Sequence, residues 1–452
     1  MNRNQELFET MPVPRAVRTM VVPCIISQLI ILIYSMADTF FIGRTNDPRM
    51  VAAASIVLPI FNICGSIAAV AGVGGGSLVS RLLGEKREEE AERVYSFGVW
   101  FSVCAAALFS VIVFVGMEPL LLLLGAGNEI KDFARSYAMC VIVAGAVPTV
   151  MSQVLSNYVR SIGESGKAGF GITMGGIINM FLDPLFMFVI LPRGNEILGA
   201  GIATCISNVI STVYFICIIR RLRKTTVLRL GSPRVLPRRD SIVKLFTVGF
   251  PSAVAGLLFD LNFIVIDRLM SSYSDIALAA IGIVLKAERL PLNVGGGICQ
   301  GMVPIVAYNF ASGNYKRMHE VSNYSLKLGI IISIISIALN EACAPYIMRF
   351  FINDPETVEL GTRFLRARSL ATVFMFMSFY HVHLFNGYVR GREALLLGCM
   401  RWLVFNIPML FLMNHLFGMY GIVWSQLIAD IMNVTFSILF HRKFLRDNGI
   451  IQ

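Results

Sequence analysis

The sequence predicts an all-α polytopic membrane protein, with twelve transmembrane helices in two pseudo-symmetric bundles of six. Three observations carry that expectation. Of 452 residues only 15% are charged and 56% are hydrophobic, and the mean hydropathy is +0.70. Soluble domains carry about 25% charged residues, so a water-soluble core of this length is excluded. Apolar runs long enough to cross the hydrocarbon, which takes about 20 residues, recur along the whole chain. Motifs of the first half also return in the second at a nearly fixed offset.

Twelve runs meet the length: 15–40, 51–79, 94–115, 134–158, 168–191, 199–219, 243–269, 277–308, 321–343, 365–388, 395–414 and 419–440. The stretch before the first, MNRNQELFETMPVPRAVR, is polar for too long to be a cleaved signal peptide, so the first span is expected to stay. The second span ends in a Gly-rich run, AGVGGGSLVSRLL. After it, Glu85 to Arg93 sets Lys86 against Glu90 and Glu89 against Arg93 at i,i+4 spacing, which reads as a solvated elbow. The fifth span carries GGIINMFLDPLFMF and the sixth AGIATCIS. Between six and seven, RRLRKTTVLRLGSPRVLPRRD holds eight Lys/Arg from Arg220 to Arg239 and no acid before Asp240. The eighth span repeats the Gly-rich run as VGGGICQGMVPIVAYNFAS.

The repeat is specific. Asp38 and Asp267 lie 229 positions apart, as do Gly84 and Gly313, each of which opens a charged helical start. NYVRSIGES at 157–165 is answered by GYVRGREAL at 387–395, and Pro23 and Pro251 sit early in the first span of each half. The boundaries follow: an N-lobe over 1–220, a basic linker over 221–240, and a C-lobe over 241–452. Parallel repeats of this kind are a transporter plan, with the site between two rigid bundles.

Charge orients the spans. Arg3, Arg15 and Arg18 precede the first, Arg442, Lys443 and Arg446 follow the last, and the basic linker divides the middle. By the positive-inside rule these segments and both termini are expected in the cytoplasm. The net charge of +11 is therefore a topology signal and not a nucleic-acid footprint. Nine cysteines, an odd number without a CxxC pair, read as small buried hydrophobes.

Acids inside apolar runs mark pathways, because a charge at membrane depth is costly to keep. Asp38 sits in SQLIILIYSMADTFFIGR, in the first span. Asn179 and Asp183 are four apart and share a helix face, Pro184 frees the carbonyl one turn back, and Thr204 adds a hydroxyl. These hard oxygen donors suit Na⁺ or a proton relay, not a soft metal. In the second half Asp260, Asp267 and Glu288 form a weaker candidate set; Glu288 has Lys286 and Arg289 beside it, and Asp267 has Arg268. His381 and His383 point roughly 200° apart on a helix and cannot share an ion. No P-loop, HExxH or nucleophile elbow occurs, so the reading is a non-enzyme without a resident cofactor.

YSMADTFFIG, the Gly-rich run closing on LVSRLLGEK, the N-x-x-x-D-P run and AYNFASGNYKR together resemble the multidrug and toxic compound extrusion (MATE) family, over essentially the whole chain. The resemblance implies two six-helix lobes around a central V-shaped cleft, exporting organic cations in exchange for H⁺ or Na⁺. It places the cation-coupling site at Asp38, Asn179, Asp183 and Thr204, in the N-lobe, with Tyr34 and Asn157 in the substrate cleft. The C-lobe equivalents, Asp267 or Glu288, match less cleanly. The expected partners are small organic cations and the bilayer of a cell inner membrane, with one chain sufficient for function. The rival from the same architecture is a flippase for a lipid-linked substrate, which several Arg or Lys lining the central cavity would favour.

Overall fold

The computed structural model of the chain describes residues 3–45, 47–232 and 236–450, and of residues 3–5, 128 and 260 the backbone alone. A short helix, α1 (Arg3–Glu9), precedes the first lobe. That lobe comprises α2 (Val13–Gly43), α3 (Pro48–Gly84), α4 (Glu88–Val115), α5 (Met117–Leu123), α6 (Asn128–Ala138), α7 (Ala146–Ser161), α8 (Ser165–Leu185) and α9 (Glu196–Leu222). The second lobe comprises α10 (Arg239–Ser271), α11 (Asp275–Ala311), α12 (Tyr315–Phe351), α13 (Pro355–Ser369), α14 (Thr372–Gly387), α15 (Gly391–Cys399) and α16 (Ile407–Asp447).

Among the described residues these helices make twelve crossings. Among the described residues nine continuous helices are long and apolar enough to span a membrane, and α6 with α7, bent by 46°, forms a tenth. The last of the nine, Gly391–Asp447, counts twice, because Gly418 leaves the helical region with φ 61° and ψ −144° and the chain reverses there. Asn406 donates to Gln426 and Arg401 to Asp430 across the reversal, each at 3.0 Å. The pair α13 and α14 supplies the twelfth crossing. Neither helix is long enough to cross alone, and α13 carries Arg363, Arg366 and Arg368.

Local chemistry sets the breaks. Pro184 cannot donate to the turn before it, and α8 passes directly into a π-helical stretch, Phe186–Ile190. Similar stretches, Met139–Ala144 and Met400–Asn406, interrupt the fourth and eleventh spans. Side-chain caps start several helices: Asp47 for α3, Ser274 for α11, Asn314 for α12 and Asp354 for α13. The Arg49 side chain and amide that bond Asp47 hold its carboxyl below the usual carboxylate range.

The stretch expected as a solvated elbow is one in part: Glu88, Glu89 and Arg93 are exposed, but the Lys86–Glu90 pair does not form. Lys86 adopts a positive φ of 58° ahead of α4, which removes it from helical register with Glu90. Glu90 is buried and accepts from the Arg238 amide at 2.8 Å and the Ser241 hydroxyl at 2.6 Å. It thus anchors the segment leading into α10. Ser96 and Trp100 of α4 bond the backbone of Arg229 and Gly231 in the same segment.

The lobes meet along one end only. Leu7 and Phe8 share a cluster with Phe444 and Leu445, so both ends of the chain lie on one face, the terminal face. Hydrophobic clusters near that face include residues of both lobes: Leu245 and Val248 pack with the first lobe, and Ala16 to Val21 with the second. Toward the opposite face the clusters divide, one built wholly from Ile42 to Ala200 and the other from Ile266 to Val423. Glycines permit the closure. A Cβ on Gly249 would stand 2.0 Å from the Val70 carbonyl oxygen, one on Gly74 2.3 Å from that of Leu245, and one on Gly84 2.3 Å from that of Tyr308. The molecule is a V, closed at the terminal face and open at the other.

Candidate ion-coupling site and central cleft

The sequence-predicted N-lobe residues converge. Asn179 and Asp183, one turn apart on α8, are both buried. The Asn179 amide donates to Asp183 Oδ1 at 3.2 Å and to Thr204 Oγ1 of α9 at 3.4 Å. Asp38, five residues before the end of α2, is half-buried and near enough to Asp183 for the two charges to interact. Three buried oxygens have no hydrogen-bond partner: Asp38 Oδ1, Asn179 Oδ1 and Asp183 Oδ2.

That set of orphans has a chemical meaning. Two carboxylates at membrane depth do not both stay charged without a cation or proton between them. The free atoms are hard oxygens, fitting Na⁺ or H⁺. Among the described residues no three His, Cys, Asp or Glu side chains gather as a metal site. Tyr34 completes the surroundings, its ring lying where only a glycine, Gly176, leaves room. Tyr137 of α6 also senses both carboxylates and was not anticipated from sequence.

Two cavities meet beside this cluster. One, of about 280 Å³, lies in the first lobe with Gln300 of α11 as its single second-lobe residue, and is lined at one end by Tyr34, Asn179 and Thr204 and at the other by Asn157 and Arg160. The larger, of about 680 Å³, is the central cleft between the lobes. Its second-lobe wall carries Phe259, Phe379, Trp402, His383, Arg289 and Arg401. Gln28 and Gln153 line both spaces and stand at their junction. Asn157 therefore belongs to the first-lobe cavity, where it accepts from Arg160 at 3.1 Å.

The second-lobe acids do not assemble in the same way. Glu288 is buried and paired bidentately with Arg368 of α13 at 2.8 and 3.0 Å, not with its sequence neighbours Lys286 and Arg289. The helix turns Arg289 toward the cleft, where its guanidinium lies over the Phe263 ring. Asp267 is exposed near the end of α10, and among the described residues nothing links it to Glu288. The side chain of Asp260 lies outside the described residues. His381 and His383 each bond a carbonyl one turn back through Nδ1, at 2.7 and 2.9 Å.

One intramembrane acid escaped the sequence reading. Asp430 of the twelfth span is fully buried and binds Arg401, whose guanidinium stacks on Phe379 and Trp402. The rule applied to Asp38 would have found it, since SQLIADIMN is equally apolar around its acid.

A twelve-span chain in two lobes, with buried acids beside a cleft open to one face, has the build of a secondary transporter. The MatE family model matches residues 23–185 and 251–412, one copy in each lobe, and the chain belongs to that family. Among curated relatives, multidrug export protein MepA of Staphylococcus saprophyticus is 29% identical over 423 residues, 94% of this chain and 92% of the relative. MepA of Staphylococcus aureus is 27% identical over the same shares. Among solved structures, MATE in the straight conformation superposes with a TM-score of 0.92 at 20% identity, over 99% of both chains. A MOP superfamily transporter of Pyrococcus furiosus, described as having a binding pocket of reverse polarity, gives 0.88 at 20% identity over 97% of this chain and 98% of that one. These likenesses bear on the fold.

Proposed function

We propose that the chain is a secondary active multidrug exporter that moves amphiphilic organic cations outward across the cell inner membrane in exchange for H⁺ or Na⁺. The observation that carries this reading is the cluster of Asp38, Asn179, Asp183 and Thr204 with its three unpartnered oxygens. A proton or Na⁺ held there by Asp38 and Asp183, with Asn179 and Thr204 as neutral oxygens, neutralises a charge pair that the lobe otherwise bears uncompensated. An ion that binds one lobe arrangement better than the other shifts their balance, and only by that difference in affinity. Alternating access follows when cargo in the cleft favours the opposite arrangement.

The basic segments at 15–18, 221–239 and 442–446 support a cytoplasmic terminal face. The cleft then opens outward in this arrangement. Its Phe259, Phe379 and Trp402 offer flat apolar surface to aromatic drugs. The names of the MepA relatives support drug export, and both lobes in one chain allow a monomer to work.

A flippase has one observation in its favour: Arg289 and Arg401 line the cleft, as an anionic headgroup would want. Arg401, however, is already neutralised by Asp430 at 3.0 Å, which leaves a single free arginine on that wall among the described residues. Cation export is therefore the preferred reading. Efflux of a fluorescent organic cation from proteoliposomes under an imposed pH or Na⁺ gradient tests it. Gradient-driven efflux names the ion. Absence of efflux under both gradients, with scrambling of a lipid-linked anion instead, replaces the reading with the flippase.

A further inference from the structure

Arg160 is placed against the ordinary behaviour of its residue type. It is the penultimate residue of α7, at the terminal-face end of its helix. Basic side chains so placed extend outward to water and headgroups. This one turns back into the lobe, donating to Asn157 Oδ1 at 3.1 Å and Ser156 Oγ at 3.4 Å. It is 4% exposed, its Nε has no partner, and no carboxylate pairs with it among the described residues. It is an uncompensated buried cation at one end of the first-lobe cavity.

The cavity itself is a row of hydrogen-bonding side chains. From Asn179 and Thr204 it continues past Ser207, Ser211 and Ser152 to Arg160. Asn179 lies fourteen residues into α8, roughly 21 Å along its axis at 1.5 Å per residue. Arg160 reaches back one turn of α7 from the same face, so the polar row covers roughly 15 Å of the lobe. Such a row suits an ion or a water wire.

We propose that this cavity is the passage by which the coupling ion travels between the Asp38–Asp183 cluster and the terminal face, separate from the cargo cleft, and that Arg160 bars its inner end to cations. The proposal rests on the reading of that cluster as the coupling site. A fixed guanidinium in a low-dielectric passage repels any cation entering it, as positive charges do in water-selective pores. The bar lifts when the lobe rearranges and Asn157 and Ser156 no longer hold the guanidinium in line. Gln28 and Gln153, shared by both cavities, stand where the ion row adjoins the cleft, and Gln28 donates across it to Gln300 of α11 at 3.3 Å.

The test is drug-free ion leak through the full chain in liposomes, under an imposed H⁺ or Na⁺ gradient. Arg160→Gln is expected to raise the leak about tenfold or more, Arg160→Lys to stay at the parent level, and Asp183→Asn added to Arg160→Gln to abolish the rise. A leak in Arg160→Gln equal to the parent's overturns the proposal, and a rise that survives Asp183→Asn overturns its route through the cluster. If Arg160→Gln does not fold, Ser152→Cys gives a second reading, with modification at position 152 resolved by mass spectrometry from that at the nine native cysteines. Labelling from the terminal side is expected to be at least tenfold faster with a neutral than with a cationic thiol reagent of equal size. Equal rates, or no labelling by either, overturn the proposal. Neither assay uses cargo, so failure of drug efflux in the parent counts against the exporter reading alone.

Discussion

Asn179 hands one amide group to two neighbours, Asp183 at 3.2 Å and Thr204 at 3.4 Å, and so aims its carbonyl oxygen away from both. That oxygen has no partner of its own. Asn179→Ala should remove an oxygen ligand and an orienting donor together. A lost hydrogen bond to a charged group is worth about 1.5–3 kcal/mol, roughly a tenfold or larger fall in apparent ion affinity. The concentration of coupling ion giving half-maximal efflux should rise accordingly, with Thr204→Ser near the parent and Thr204→Val between the two. An unchanged ion dependence in Asn179→Ala would remove the residue from the site.

Closure at the terminal face depends on backbones that touch. Gly249→Ala places a Cβ 2.0 Å from the Val70 carbonyl oxygen, and overpacking of this kind costs typically about 1–3 kcal/mol. Only the closed arrangement bears that cost, so the variant should populate one open at the terminal face. Spin labels on Arg87 and Arg392, across the seam, should show the longer of two distances gaining weight. Identical distance distributions would mean that the seam is not needed for closure.

The N-terminal segment is held to the opposite lobe. Arg317 of α12 donates to the carbonyls of Phe8 at 2.6 Å, Leu7 at 3.1 Å and Met11 at 2.7 Å, and Phe8 stacks on Tyr308 with ring centroids 4.9 Å apart. Arg317→Ala should release α1 at a cost of about 3 kcal/mol or more, given 1.5–3 for each charged hydrogen bond. Amide exchange at residues 6–11 should then accelerate a hundredfold or more, while exchange in α3 stays slow. Retained protection at 6–11 would show that the apolar contacts of Leu7 and Phe8 suffice.

Glu288 and Arg368 are both buried and answer each other. Glu288→Gln leaves an uncompensated guanidinium and should destabilise the second lobe by about 3–5 kcal/mol. Glu288→Gln with Arg368→Met should recover most of that. Melting in detergent reads both, and ion-driven efflux of the double variant should stay near the parent rate. Loss of ion dependence in a stable double variant would move coupling into the second lobe.

The fold was legible because each span is a continuous apolar run and the halves repeat; the ends of α2, α3 and α8–α11 fall within about six residues of their predicted limits, while α12 starts six residues before and ends eight after its predicted span of 321–343. The broken tenth span was predicted as a single run over 365–388, and α13 begins ten residues earlier because the cap at Asp354 and Pro355 starts a helix in polar sequence. The acids of the N-lobe were visible as charges in apolar runs. The partner of Glu288 was not, because Arg368 is 80 residues away and only the packing of α13 on α11 joins them. Glu90 misled for the opposite reason: its local i,i+4 pattern is a common solvated one, and a residue 151 positions on, Ser241, decides its burial. Arg160 was invisible as a site, since sequence gives a basic residue near a helix end without the direction in which it points.

The account turns on Asp38 and Asp183 holding the ion that drives export. The direct measurement is efflux of a fluorescent organic cation from proteoliposomes under a fixed inward ion gradient, for the parent, Asp38→Asn and Asp183→Asn. The account predicts loss of gradient-driven efflux in both variants, with cargo binding to the detergent-purified proteins within about threefold of the parent, since the cleft walls are unchanged. Gradient-driven efflux at the parent rate in both variants would contradict it.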